Sequence, residues 1–172
     1  MKIAPILETE RLRLRGHSLG DLDAVATLWA DPVTVRFITG KPSSREDSWA
    51  RLLRYVGHWA LLGHGFWAIE EKATGRFVGE GGFASFKREI DPPIDAPEQG
   101  WSLSGDVHGK GYAFEAMNTA LAWGEAHFGR SDFICIISPE NTPSLKLAGK
   151  LGYREVQRTT YKGEPTVMLR RA

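Results

Sequence analysis

The chain has 172 residues, 42% of them hydrophobic, and a formal charge of +1. That length suits one domain, residues 1–172, able to bury a core without staples. The near-neutral balance excludes the strong basic field that draws nucleic acid or a membrane surface, and the single cysteine, Cys135, excludes an intrachain disulfide framework or a cysteine zinc cluster. No metal is expected. The start "MKIAPILETERLRLRG" lacks the apolar segment of a secretory leader, so a soluble, cytoplasmic protein is expected. Six tryptophans and eight phenylalanines are enough for a core, a pocket lining and a homodimer face.

In chain order, "LETERLRLR" alternates from Glu10 onward, with Leu12 and Leu14 opposite Arg11, Arg13 and Arg15, as in a half-buried strand. Leu22, Val25, Leu28 and Trp29 then share one helical face, ended by Asp31-Pro32. Ser43-x-x-Glu46 resembles a capping box for a second helix, with Trp49, Leu52, Leu53, Val56 and Ala60 at helical spacing. Strands follow over 66–70 and 76–83, joined by the turn "KATG". The loop "KREIDPPIDAPE" is polar and proline-rich, and "EQGWSLS" is a short strand. Ala113, Ala116, Met117, Ala120 and Leu121 define a third helix, and "DFICIIS" reads as a central strand. Thr142-Pro143 opens a fourth helix that Gly152 closes, and a hairpin across "KGEP" ends the chain. The order β-α-α-β-β-β-α-β-α-β-β predicts a single α/β domain: a mixed, mostly antiparallel twisted sheet with helices on both faces.

The stretch "DVHGKGYAFEA" places two glycines just before a helix. A helix start offers unpaired N–H groups and the positive end of a dipole, and glycines let an anion approach them. Taken alone, these residues read first as a plain glycine turn into a buried helix. The Walker pattern is absent, and so is the third glycine of a dinucleotide fingerprint. A second cluster, "ENTPSLKLAGKLGY", follows the central strand. Its Asn141 precedes a helix start and Ser144 lies one turn in, both at the same sheet edge as the glycines if the two strands are neighbours.

The pairing of "HGKGYAFEA" with "ENTPSLKLAGKLGY", after the opening "LETERLRLRG", resembles the GNAT superfamily of acetyl-CoA-dependent N-acetyltransferases. The Rim-type branch, named for N-terminal acetylation of ribosomal proteins, is the most similar part of it. The resemblance runs from Leu7 to Arg170. It implies acetyl-CoA as co-substrate and a primary amine as acceptor, either a protein N-terminus or a small molecule. The family's pyrophosphate motif, Gln/Arg-x-x-Gly-x-Gly/Ala, maps onto His108, Gly109, Lys110, Gly111, Tyr112 and Ala113. His108 departs from Gln or Arg, so the backbone rather than that side chain is expected to hold the pyrophosphate. Asn141 matches the residue that bonds the pantetheine arm.

Acyl transfer from a thioester requires a neutral amine, a donor for the oxyanion and a partner for the leaving thiolate. The resemblance implies an oxyanion donor in the backbone of "GWSLS", with Leu103 first and Ser102 next. The tyrosine that many members place in the fourth helix is Ala148 here, leaving Ser144 as the thiolate partner and Tyr153 as the alternative. Glu80, in a glycine-flanked apolar strand, and Glu98, at the start of another, are the candidate bases. His58 and His64 read as surface or satisfied histidines. By resemblance the first two helices wall off the acceptor, with Phe37, Trp59 and Trp67 as an aromatic wall. Glu89, Asp91 and Asp95 make a loop that would suit a cationic amine. Two other functions stand beside this one: an acyl-CoA-binding module without turnover, and a nucleotide-binding regulator using the glycine loop alone.

Overall fold

A computed structural model describes residues 2–172. Its strands are β1 (Leu7–Glu8), β2 (Leu12–Arg15), β3 (Phe66–Glu71), β4 (Arg76–Ala84), β5 (Glu98–Leu103), β6 (Phe133–Ile137), β7 (Tyr153–Tyr161) and β8 (Glu164–Arg171). Its helices are α1 (Leu22–Ala30), α2 (Pro32–Val35), α3 (Arg45–Leu62), α4 (Tyr112–Phe128) and α5 (Thr142–Lys150). All eight strands join one sheet in the order β1-β2-β3-β4-β5-β6-β8-β7. Only β5 and β6 run parallel. This is the mixed, mostly antiparallel sheet that the sequence predicts. Among the described residues, no helix is long and apolar enough to cross a membrane.

Two short elements were not expected. The Thr9 hydroxyl accepts the Leu12 N–H at 2.9 Å and the Thr9 N–H donates to the Leu12 carbonyl at 2.9 Å. The single strand expected there therefore folds back, and β1 pairs antiparallel with β2. Asp31 does end α1, but its carboxylate also accepts the Val33 N–H at 3.0 Å and so starts α2, with Pro32 at the first position.

The second expected helix, α3, exists with a different phase. Ser44 and Asp47, not Ser43 and Glu46, form its capping box, because the Ser43 N–H is already donated to the Trp29 carbonyl at 2.8 Å. Its buried face carries Leu52, Tyr55 and Trp59, while Trp49, Leu53 and Val56 are exposed at 39%, 47% and 43%. The sheet gives the larger residues partners: Tyr55 stacks on Phe66 at 5.0 Å, and the Trp59 indole donates to the Phe66 carbonyl at 2.9 Å.

Side-chain alternation distributes the core. Leu12, Leu14, Trp67, Leu103, Phe133 and Cys135 meet α4 and α5 on one face through Met117, Ala120, Leu121 and Ala148. On the other face Trp29 of α1 reaches Glu80 of β4, and Val25, Leu28, Val35 and Leu52 join α1, α2 and α3. The sheet thus separates two helical layers, and any path between them must pass through the sheet.

Candidate active site

The pairing within the sheet is thinnest between β5 and β6. Their register holds a single pair, Glu98 with Ile134, and the Ile134 N–H donates to the Pro97 carbonyl at 3.0 Å. Beyond that pair the two strands diverge. On the other side of β5, the Ser104 N–H donates to the Val78 carbonyl of β4 at 2.9 Å. Strand alternation then turns the N–H groups of even-numbered residues toward β4, and those of Trp101 and Leu103 toward the opening. Ser102, the second expected donor, has its backbone turned to β4, opposite Glu80.

The glycine stretch follows directly. A 3-10 turn over Gly105–Val107 leads to Gly109 and Gly111, with φ of 82° and 81°. That left-handed backbone costs a glycine little and a β-branched residue a great deal. Gly111 caps α4 without any side-chain bond to the helix start. The N–H groups of Tyr112, Ala113 and Phe114 therefore have no intrahelical acceptor. The loop is held from behind. Arg11 donates to the Lys110 carbonyl at 2.9 Å and pairs with Glu115 at 2.7 Å, and its guanidinium lies 4.7 Å from the Tyr112 ring centre. Burial works to raise the Glu115 carboxyl, but the Thr9 hydroxyl and Arg11 outweigh it and hold it below its usual value. The His108 side chain turns inward, with Nε2 donating to the Leu103 carbonyl at 3.0 Å. It anchors the end of β5, which agrees with assigning the anion-facing role to the backbone.

Helix α5 begins across the opening. Asn141 caps it, its side-chain oxygen accepting the Ser144 N–H at 3.3 Å. The Ser144 hydroxyl accepts the Trp101 indole N–H at 3.3 Å, so a side chain from β5 spans the divergence to α5. Ala148, on the inner face of α5, is fully buried. Tyr153, the alternative to Ser144, is 1% exposed and donates to Gln99 at 2.7 Å. Burial, with Cys135 nearby, pushes its hydroxyl well above the usual tyrosine value. It is a locked core residue and a poor acid.

The family model for the acetyltransferase (GNAT) domain matches residues 11–154. The chain belongs to the GNAT acetyltransferases. These enzymes move an acetyl group from acetyl-CoA to an amine, and the expected fold and enzyme class are those found. A Bacillus licheniformis protein named as the uncharacterized N-acetyltransferase p20 is 29% identical over 150 residues, covering 87% of this chain and 82% of its own. A Bordetella pertussis structure described as GNAT-family superposes with a TM-score of 0.87 at 29% identity, covering 98% of this chain and all of its own. The fold is also shared, at 17% identity and a TM-score of 0.74, with the ribosomal-protein-S5-alanine acetyltransferase of Vibrio fischeri, covering 98% of this chain and 96% of that one. The Rim-type proteins are therefore among its structural neighbours.

In this GNAT chain the α1–α3 layer lies opposite the glycine loop's helix. Glu80 is fully buried there, with one oxygen accepting the Trp29 indole N–H at 2.6 Å and the other accepting His17 Nε2–H at 2.9 Å. The His17 ring lies tilted against Tyr55, 5.0 Å between ring centres, and its Nδ1 has no partner among the described residues. The Ser102 hydroxyl, on the same sheet face as Glu80 and next to the opening, is also buried without a partner. Burial, followed by the charge of Glu80, drives the Tyr55 hydroxyl well above its usual value. Glu98 sits instead at the closed end, where β5 and β6 still pair. It is 6% exposed and bidentate to Arg88 at 2.8–3.0 Å.

The expected aromatic wall needs correction. Trp59 and Trp67 are 3% and 0% exposed, edge-to-face at 4.8 Å. Their indoles donate to the Phe66 and Pro5 carbonyls, so both are core residues. Phe37 alone lies half-buried near the surface, under the Arg36 guanidinium at 4.9 Å. The acidic loop is partly neutralised, since Asp95 pairs with Arg170 at 2.9 Å. His58 is satisfied, as expected, with its ring nitrogens at 2.8 and 3.1 Å from the Arg54 and Ser85 carbonyls. Sequence reasoning missed Arg11, His17 and Trp101. Arg11 looked like the solvent side of a strand, and nothing near His17 or Trp101 in sequence marks their distant partners.

Proposed function

We propose that this chain acetylates a primary amine by direct attack on acetyl-CoA bound across the β5–β6 opening. The observation that carries the reading is the coincidence of three features at one sheet edge: the diverging strands, the Leu103 N–H facing the gap, and the uncapped glycine start of α4. The backbone N–H groups from Gly109 to Ala113 would hold the pyrophosphate, and Asn141 would bond the pantetheine arm. With the thioester carbonyl in the gap, the Leu103 N–H would donate to the developing oxyanion. Ser144 would turn its hydroxyl from Trp101 to the leaving thiolate. Glu80 would accept the amine proton, directly or through water, on the α1–α3 side. Its two oxygens retain lone pairs beyond the two bonds they accept. Glu98 is the weaker candidate, because Arg88 already occupies both its oxygens.

One observation favours a second reading. Ala148 supplies no acid and Tyr153 is locked, which suits a module that binds acyl-CoA without turnover. Thiol release from acetyl-CoA with a panel of amines and N-terminal peptides separates the two. Amine-dependent release supports the transferase. Saturable acetyl-CoA binding with no release from any amine assigns the module instead.

A further inference from the structure

A cavity of about 440 Å³ lies beside α3, lined by Thr39, Lys41, Ser43, Asp47, Arg51 and Arg54 among others. Three of these side chains are cationic and one is acidic. The acid, Asp47, is engaged in capping α3, where it accepts the Ser44 N–H at 3.1 Å. None of the three cations forms an ion pair among the described residues. Arg51 is the innermost. Its guanidinium lies 3.7 Å over the Trp29 ring, and its Nε and Nη1 are buried without an acceptor. Buried guanidinium donors left unpaired are costly, so an anion that meets them binds strongly.

The cavity and the candidate base share one neighbour. The indole that Arg51 covers is the one that donates to Glu80 at 2.6 Å. Trp29 thus stands between the guanidinium at the cavity and the Glu80 carboxylate, in contact with both. Nothing in this wall favours a second ammonium group on the acceptor. We propose that the acceptor is an amine that also carries a carboxylate, which Arg51 binds while the amine faces Glu80. This rests on the acetyl-transfer reading above and names its substrate class. It reverses the expectation drawn from Glu89, Asp91 and Asp95, because the charge facing the cavity is positive.

The test uses glycine, β-alanine, 4-aminobutyrate and 6-aminohexanoate, each beside its carboxamide, with spermidine as the polycation. Thiol release from acetyl-CoA is expected to show kcat/KM at least tenfold higher for the best carboxylate than for its carboxamide. Arg51→Gln is expected to bring that ratio within twofold, and Arg51→Lys to keep it above threefold. Because each ratio is internal to one protein preparation, a partial folding defect does not imitate the effect. Release from all amines with a ratio near one, a preference for spermidine, or a ratio untouched by Arg51→Gln would overturn the proposal while leaving acetyl transfer standing. If no amine supports release, the acetyl-transfer reading fails and the acceptor assignment falls with it, and calorimetry on the CoA-loaded protein then tests Arg51 as a carboxylate site by itself. Tenfold tighter binding of a carboxylate than of its carboxamide keeps that site, and equal binding ends it.

Discussion

Replacing Glu80 separates its chemical role from its structural one. The carboxylate is fully buried and accepts bonds of 2.6 and 2.9 Å from Trp29 and His17. Hydrogen bonds to charged groups contribute about 1.5–3 kcal/mol each, against about 1 for neutral pairs. Glu80→Gln keeps the volume and an acceptor for the indole, so its expected loss is about 1–3 kcal/mol. At roughly 2–4 °C per kcal/mol for a chain of this size, Tm falls by about 2–12 °C. Glu80→Ala leaves both donors stranded and is expected to lose about 3–5 kcal/mol. Loss of a general base lowers the rate by about 10²–10⁴-fold. The assay is kcat/KM by thiol release at 25 °C, where Glu80→Gln remains folded, beside a thermal melt. The expected result is a fall of at least 10² in kcat/KM with a modest change in Tm. A folded Glu80→Gln protein within threefold of the wild-type rate would refute the assignment.

Gly111→Val places a β-branched residue at φ 81° in the anion loop and is expected to weaken acetyl-CoA binding at least tenfold by calorimetry. Unchanged affinity would remove the loop from the site. Ser144→Ala is expected to lower kcat more than it raises KM, because the hydroxyl acts on the leaving thiolate; equal kcat would dismiss it. Stability should also fall with acid. Burial first, then the neighbouring His127, depresses the His64 imidazole, so the folded value lies below the unfolded value of about 6.5. The contribution is complete above the unfolded value and is lost as pH falls through the folded one. The urea midpoint should drop from pH 7 to pH 5, and His64→Asn with His127→Asn should flatten that slope; an unaltered slope would contradict the cause given.

What could be read from the sequence was local. A glycine pair before a helix, and Asn141 before Thr142-Pro143, depend on backbone conformations set within a few residues, and both stand where they were expected. Their meeting at one edge needed only β5 and β6 to be parallel neighbours. The failures depend on distant partners. Whether Trp59 or Trp49 turns inward is decided by the Phe66 carbonyl and the rings of Trp67 and Trp123, none of which helical spacing can register. Arg11 reads as an exposed strand residue until Glu115, 104 positions away, is placed beside it. Glu98 and Glu80 are both acids in apolar strands. Only the fold shows that one is closed off by Arg88, while the other accepts the His17 Nε2–H and lies on the same face as the buried Ser102 hydroxyl, which has no partner among the described residues.

The central claim is that acetyl-CoA lies across the β5–β6 opening with its carbonyl on Leu103 and its pyrophosphate on the glycine loop. Titration of uniformly ¹⁵N-labelled protein with acetyl-CoA tests it at the atoms concerned. The amide resonances of Leu103, Gly109, Gly111 and Ala113 are expected to move together with one saturation curve, and the Trp101 indole N–H to move as it leaves Ser144. Saturable binding that leaves these resonances in place, with shifts confined to other surfaces, would contradict it.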